Sequence, residues 1–217
     1  MSLNTKMQLD ARGEVTGASI TTTSGPYATV LREIATNAQR TGTERFAASI
    51  LRVHDGGGTG DVMVDPVVPV TDTYHLSGTF KLALQPGWLD GDSFTLPTGL
   101  RVIRRPADGL AGPMEMRDLP AAEATPCYAG QQEETLLLAL PEGRAPDRLP
   151  PDRDVSGKGF RYTSHYAFDA GAIIAQRRFV STFSEPLCQG DVRASVAKAL
   201  DAIRRDLNVR FALATAK

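Results

Sequence analysis

"FRYTSHYAFDAGAIIAQRRFVSTF", residues 160–183, decides how the second half of this chain folds. Phe160, Tyr162, Tyr166 and Phe168 alternate with Arg161, Thr163, His165 and Ala167, and a period of two gives an extended strand one aromatic face. Asp169-Ala170-Gly171 supplies turn chemistry, and "AIIAQRRFVSTF" returns as the hairpin partner. Such a stripe either packs as core or forms an exposed platform for a glycan or peptide. A final helix is expected from Gly190-Asp191, with Asp191 as its cap and Val192, Val196, Leu200, Ile203 and Leu207 as its apolar stripe. That helix offers the aromatics a partner and favours core.

Outward from the hairpin, "ETLLLALP" (134–141) is a short apolar strand. "RVIRRPADGLAGPMEMRDLPAAEATP" (101–126) is rich in proline, glycine and alanine, lacks a period, and is the best candidate for a linker or crossing segment. The first half opens as a second hairpin, "KMQLDA" and "EVTGASITTT" flanking Arg12-Gly13. After Gly25-Pro26, Tyr27, Leu31, Ile34 and Ala38 fall on one face of a helix. A second helix follows, with Thr43 as candidate N-cap and Phe46, Ile50 and Val53 as its buried stripe. "HDGGGTG" ends it, because successive glycines favour non-helical backbone. "DVMVDPVVPV", "YHLSGTFKLAL" and "DSFTLP" then read as strands, the first demoted by Pro66 and Pro69 to an edge or broken strand. The fold class is therefore α+β. Antiparallel strands with two helices occupy residues 1–104, and a β-rich, sandwich-like unit closed by a C-terminal helix occupies 105–217.

At 217 residues the chain can bury a substantial core. A net charge of −1 gives no electrostatic reason to expect nucleic acid or an anionic membrane as partner. No apolar run reaches the roughly 18 residues that span a bilayer. The opening "MSLNTKMQLDARGEV" lacks a signal-peptide layout and moves almost directly into a strand, as a segment excised from a longer, exported polypeptide would.

Cys127 and Cys188 are the only cysteines. Four roles compete: independent buried thiols, a metal site, a redox pair and a disulfide. Metal and redox roles fit poorly, because only His54, His75 and His165 accompany the pair and no Cys-x-x-Cys spacing occurs. Buried thiols stay open. A disulfide fits best, since Cys127 precedes a strand and Cys188 lies between a hairpin and a helix, both at element ends. A closed loop of that length is worth ~4 kcal/mol in the chain-entropy model, and it points to an exported protein.

The order "CYAGQQEETLLLALPEG", "LPPDRDV", "FRYTSHY", "RRFVS", then "LC" leading into "AKALDAIRRD" resembles the C-terminal region of a bacterial group. These are transglutaminase-like proteins that carry an N-terminal domain of unknown function 3857. "LDARGEVTG" and "SGPYATVLREI" resemble the segment that follows their core, so the resemblance covers nearly the whole chain. It implies a papain-fold Cys-His-Asp core lying N-terminal to Met1, and an exported parent. Cys127 and Cys188 match the paired cysteines of the C-terminal module, not the nucleophile.

No catalytic, cofactor-binding or metal-ligating residue is assigned. Ser164 and His165 are strand neighbours that point to opposite faces and cannot easily share a proton. "HDGGGTGD" follows a helix, lacks the Gly-Lys-[Ser/Thr] ending of a phosphate loop, and reads as a flexible connection. The doublets at Ile103–Arg105 and Gln176–Arg178 read as solvated strand faces. The expected function is a non-catalytic accessory region, partnered by the transglutaminase-like core of the same polypeptide and by a protein or peptide substrate. The alternative is an autonomous cell-envelope module that binds a glycan or protein through exposed aromatics.

Overall fold

The computed structural model describes residues 1–103, 123–127 and 129–214. Strands β1 (Ser2–Leu9) and β2 (Val15–Ser24) form the first hairpin. The Asp10 carboxylate closes its turn by accepting the N–H groups of Arg12 and Glu14 at 2.8 and 2.9 Å. These bonds favour the ionised form, and they are the first reason its carboxyl is held below the usual range. Gly13 is required there: its φ is +84°, and an added Cβ would lie 2.8 Å from the Gln85 backbone.

Helices α1 (Pro26–Thr41) and α2 (Thr43–Asp55) follow, then β3 (Gly58–Val64), β4 (Thr73–Leu82), the single turn α3 (Pro86–Leu89) and β5 (Phe94–Thr95). The second half supplies β6 (Thr125–Pro126), β7 (Gly130–Ala139), β8 (Arg153–Gly157), β9 (Phe160–Asp169) and β10 (Ala172–Ser181). β11 (Leu187–Cys188), α4 (Gly190–Leu207) and β12 (Arg210–Phe211) complete the described chain.

Eight strands form one mixed sheet in the order β3-β4-β2-β1-β7-β10-β9-β8. Every neighbouring pair is antiparallel except β1 with β7, which run parallel from Ser2↔Glu133 to Gln8↔Ala139. The α+β class and the β-rich second half are as expected, and strands of both halves share this sheet. The 104/105 boundary and most of the 101–126 crossing segment lie outside the described residues. Two ribbons, β11 with β6 and β12 with β5, sit apart from the sheet.

One face of the sheet is covered. Leu3, Met7 and Leu9 of β1, Tyr74, Leu76 and Phe80 of β4, and Leu136 and Leu138 of β7 all point into it and are buried. Helices α1 and α2 cover the β2-β4-β3 end through Ala28, Leu31, Ala47 and Leu51. Helix α4 covers the β8-β9-β10 end, where Val196, Ala199, Ile203 and Leu207 meet Phe160, Tyr162 and Phe179. Between these groups the segment after β5 crosses the face. The Leu100 N–H donates to Ser19 Oγ at 3.1 Å, and Thr5 Oγ1 donates to the Thr98 carbonyl at 3.2 Å. Glycine makes this crossing fit: a Cβ at Gly78 would stand 2.6 Å from Leu100.

The helices differ from the sequence expectation in register and caps. Gly42, not Thr43, is the N-cap of α2, and Thr43 is its first helical residue. Val53 is 76% exposed, because 3.6 residues per turn align Ala47, Ile50 and Leu51 on the inner face and turn 53 outward. In α1 the fully buried stripe is Ala28, Leu31, Ala35 and Ala38, with Tyr27 and Ile34 at its margin. Gln189 precedes α4 as N-cap, and Asp191 lies in the first turn, 3.3 Å from Lys158 Nζ.

The β9–β10 turn carries a local cost. Ala170 and Gly171 both have positive φ, +47° and +77°, and Ala170 is the only non-glycine residue so placed among those described. A left-handed residue with a Cβ costs ~1–2 kcal/mol, and asparagine tolerates the region better. Ala170→Asn should therefore raise stability by about 1 kcal/mol, read as a melting temperature higher by roughly 2–4 °C. Ala170→Val should lower it.

Candidate functional site

Alternation along β7 places Glu134 on the covered face, two residues from Leu136, directly opposite Arg177 of β10. Arg177 Nη1 donates to Glu134 Oε2 at 2.7 Å, and Arg101 Nη2 donates to Oε1 at 2.6 Å. The Arg177 fork also lies 3.4 Å from the Tyr166 hydroxyl, which donates to the Asp206 carbonyl at 3.2 Å. The Tyr162 hydroxyl donates to Asp206 Oδ2 at 2.6 Å. Arg101, Arg177 and Asp206 are all buried, so two guanidinium groups and two carboxylates share one nearly dry site.

Electrostatics explains how such a cluster survives. Burial acts against the Arg177 charge, but Glu134 and the tyrosines outweigh it and hold the guanidinium more firmly protonated than usual. Burial pushes the Tyr162 phenol far above its ordinary range, and the Asp206 carboxylate beside it adds to the shift. A phenol held neutral donates a hydrogen bond but does not exchange protons near neutral pH. The cluster is therefore built to fix positions: it ties β7, β9, β10, α4 and the crossing segment to one another.

The residues singled out in the sequence separate along the sheet. Ser164 points inward and is buried, whereas His165 points outward to Asp152 Oδ2 at 2.7 Å. The His165 hydrogen bond, then the Tyr166 N–H, holds the Asp152 carboxyl below its usual range. The two neighbours share no proton path, as alternation requires. Of the Gln176–Arg178 doublet only Arg178 is solvated, 3.2 Å from Glu133; Arg177 faces the core, which corrects the expectation for that residue. Arg104 and Arg105 lie outside the described residues. In "HDGGGTGD", Gly56 caps α2 with φ +78° and β3 begins at Gly58.

Cavities lie elsewhere among the described residues. A cleft of about 300 Å³ at the C-terminal end of α2 is lined by His54, Asp55, Trp88, Ser93 and Arg210 among others. Its polar groups are committed: Asp55 accepts the Thr98 and Gly99 N–H groups at 2.9 Å, and Arg210 Nε donates to Ser93 Oγ at 2.8 Å. Trp88 stacks on Phe94 with ring centroids 4.3 Å apart. An open groove of about 1010 Å³ runs between the α1–α2 junction and β3. Among the described residues no three His, Cys, Asp or Glu side chains are placed to share a metal ion.

Cys127 and Cys188 stand at disulfide distance, their α-carbons 5.5 Å apart and both side chains buried. The β6–β11 ribbon brings them together, and the Cys127 N–H donates to the Pro186 carbonyl at 2.8 Å. The pair lies just before α4.

Above pH ~10 an exposed tyrosine in the unfolded chain ionises, whereas Tyr162 and Tyr166 are held protonated in the folded state. Their raised values contribute stability fully below pH ~10 and lose it as pH rises, by ~1.4 kcal/mol per pH unit for each group. Unfolding titrations between pH 10 and 12 (about the range where this slope is read) should fall steeply, and because burial raises Tyr74 as well, Tyr162→Phe should remove roughly one third of the tyrosine-linked slope. Searches against family models, curated proteins and solved structures return no match for this chain.

Proposed function

We propose that this chain is a non-catalytic accessory region of an exported bacterial transglutaminase-like protein. It scaffolds the papain-fold core of the same polypeptide, or presents a protein or peptide substrate to it, and uses no cofactor of its own. The observation that carries this reading is the fate of the aromatic stripe. Phe160, Tyr162 and Tyr166 are buried, and Phe168 alone, at the strand end, is partly exposed. The alternative, an envelope module that grips a glycan or protein through exposed aromatics, needs the opposite arrangement. The tyrosine hydroxyls are spent on Asp206, and the most charged interior cluster is engaged in holding strands together. These are properties of a scaffold.

Export fits the cysteine pair at disulfide distance, because such bonds persist in oxidising compartments. A periplasmic or extracellular location follows within this proposal. Among the described residues no helix is long and apolar enough to cross a membrane, and a net charge of −1 gives no electrostatic reason to expect nucleic acid as partner.

Two measurements bear on the proposal. The upstream transglutaminase-like core should gain thermal stability, or change its affinity for a protein substrate, when this chain is added in trans; identical behaviour with and without it refutes the accessory role. Intact mass of protein from its native cell should be lighter by two hydrogens before reduction than after. Reduction should then lower stability by ~4 kcal/mol, the chain-entropy value for a loop of this size. Two free thiols in that material would remove the case for export.

A further inference from the structure

We propose that the rim of the sheet on which Met1 lies docks the transglutaminase-like core of the same polypeptide, with Val68 and Val70 of the β3–β4 loop anchored in an apolar pocket of that core. The identity of the partner rests on the accessory reading. The anchor stands on the loop itself.

Residues 65–72, between β3 and β4, read DPVVPVTD: three valines and two prolines between two aspartates, with no other charge. Val68 and Val70 are 79% and 78% exposed, the most exposed large hydrophobic side chains among the described residues. A valine that stays in water gains nothing from folding. Single exposed apolar residues are ordinary, but two of them on one uncharged loop make a patch.

The legs of this loop are fixed by several independent bonds. On the β3 side, Asp65 Oδ2 accepts the His75 N–H at 3.1 Å and lies 2.8 Å from His75 Nδ1, and the Asp65 carbonyl accepts the Tyr74 hydroxyl. On the β4 side, Arg32 of α1 donates to the Thr71 carbonyl and, at 3.0 Å, to Thr71 Oγ1. The Asp72 carbonyl accepts the Gly25 N–H at 3.2 Å. The Arg32 guanidinium also sits 4.9 Å from the centre of the Tyr74 ring, which links the two legs. Pro66 and Pro69 have a fixed φ, so the tip has little freedom left to lose. An apolar tip held in one shape binds at a small ordering cost.

Topology decides what this tip faces. Ser2 of β1 lies opposite Thr22 of β2, Ser24 lies opposite Thr73 of β4, and the Met1 amino group donates to the Gln131 carbonyl at 2.9 Å. Met1 and the loop therefore share one rim, two to three strands apart, which is roughly 10–15 Å at strand spacing. On the accessory reading the core is joined at Met1 and emerges beside the tip. A short tether supplies an effective concentration of ~mM, under which two valines desolvated on docking are enough to fix an orientation. Leu187, 52% exposed on the β6–β11 ribbon, borders the same rim, because β7 begins and β10 ends there.

Other occupants fit worse. An anionic membrane surface would meet Asp65 and Asp72, and residues 65–72 offer it no lysine, arginine, tryptophan, phenylalanine or leucine. Two copies paired tip to tip would bury only these valines, well short of the roughly 1,600 Å² of a stable interface.

Photocrosslinking in the full polypeptide, core and chain together, tests the surface. With p-benzoylphenylalanine in place of Val68 or Val70, irradiation should join the loop to peptides N-terminal to Met1. The same group in place of Leu84, exposed beyond the far end of β4, should not. Val68→Asp combined with Val70→Asp should weaken binding of this chain to the core in trans at least about tenfold, with an unchanged melting curve for the isolated chain. Crosslinks to the core from position 84 but not from the loop would overturn this surface and leave the accessory reading standing, as would unchanged affinity in the double variant. Loop crosslinks between two copies, or to lipid in anionic vesicles, would also overturn it. No crosslink from any position, together with no effect of the chain on the core, would remove both proposals.

Discussion

Parallel pairing of β1 with β7 makes one sheet out of two stretches that each look self-sufficient in sequence. A parallel neighbour cannot be supplied by a hairpin; it needs a long crossover, and here everything between residues 9 and 130 intervenes. The register of this pair is what aligns the two inner faces. A slip by one residue would turn Leu136 and Leu138 to solvent against a β1 whose Thr5 and Met7 point inward. The α1–α2 layer and the α4 layer can therefore cover the same side of one sheet only because this register holds.

The covered face is not uniformly apolar, and its polar part lies where the two hydrophobic clusters meet. Leu136, Ala175 and Tyr166 belong to the larger cluster, and Tyr162 and Phe179 to the smaller. Arg177, Glu134 and Asp206 lie at the seam. A buried ion pair is weak evidence for stability, because desolvation consumes most of its attraction; breaking one by removing a partner costs far more, ~3–5 kcal/mol. The value of this cluster is in specifying an arrangement. Glu134 accepts from Arg177 of the hairpin and from Arg101 of the crossing segment, so one carboxylate ties both to β7. Arg101 Nε is buried without a partner, so the match is incomplete even here.

How much of this was legible in the sequence depends on the range of the interaction. The two hairpins, the burial of Phe160, Tyr162 and Tyr166, the helix-ending glycines and the edge position of the strand before Pro66 all follow from local period and turn chemistry. The errors came where tertiary context overrides a local pattern. Val53 looks like core by composition, yet small Ala47 sits at the inner position because α2 lies close on β3. Arg177 looked solvated because an arginine beside Arg178 in a strand usually is; only its register opposite Glu134 reveals the pair. The signal was present in the alternation, since Ile173, Ala175 and Phe179 share its face. β8 was missed altogether, because two charges in five residues do not resemble a strand until Val155 is seen to face the core. Asp206 carried no signal in the local pattern; it is buried one turn from Ile203 and accepts the Tyr162 hydrogen bond.

Tertiary packing likewise closes the two ends of the sheet. At the β8 end, charge, shortness and a covering helix close the edge, and the cysteine pair stands nearby, just before α4. At the β3 end the strand is longer and carries Asp61 as its single charge, and α2 packs along it with Val62 buried at its centre. Those glycines are not idle: a Cβ at Gly60 would lie 2.6 Å from the Thr79 carbonyl oxygen, and one at Gly58 only 2.4 Å from that of Lys81. Close approach to β4 therefore demands residues without side chains at these two positions. An unpaired strand edge is ordinarily a liability that a covering helix, charge or proline blunts. Here helices pack on both end strands, and Asp61 at the centre of β3 sets like charges opposite each other in any full-length antiparallel self-pairing.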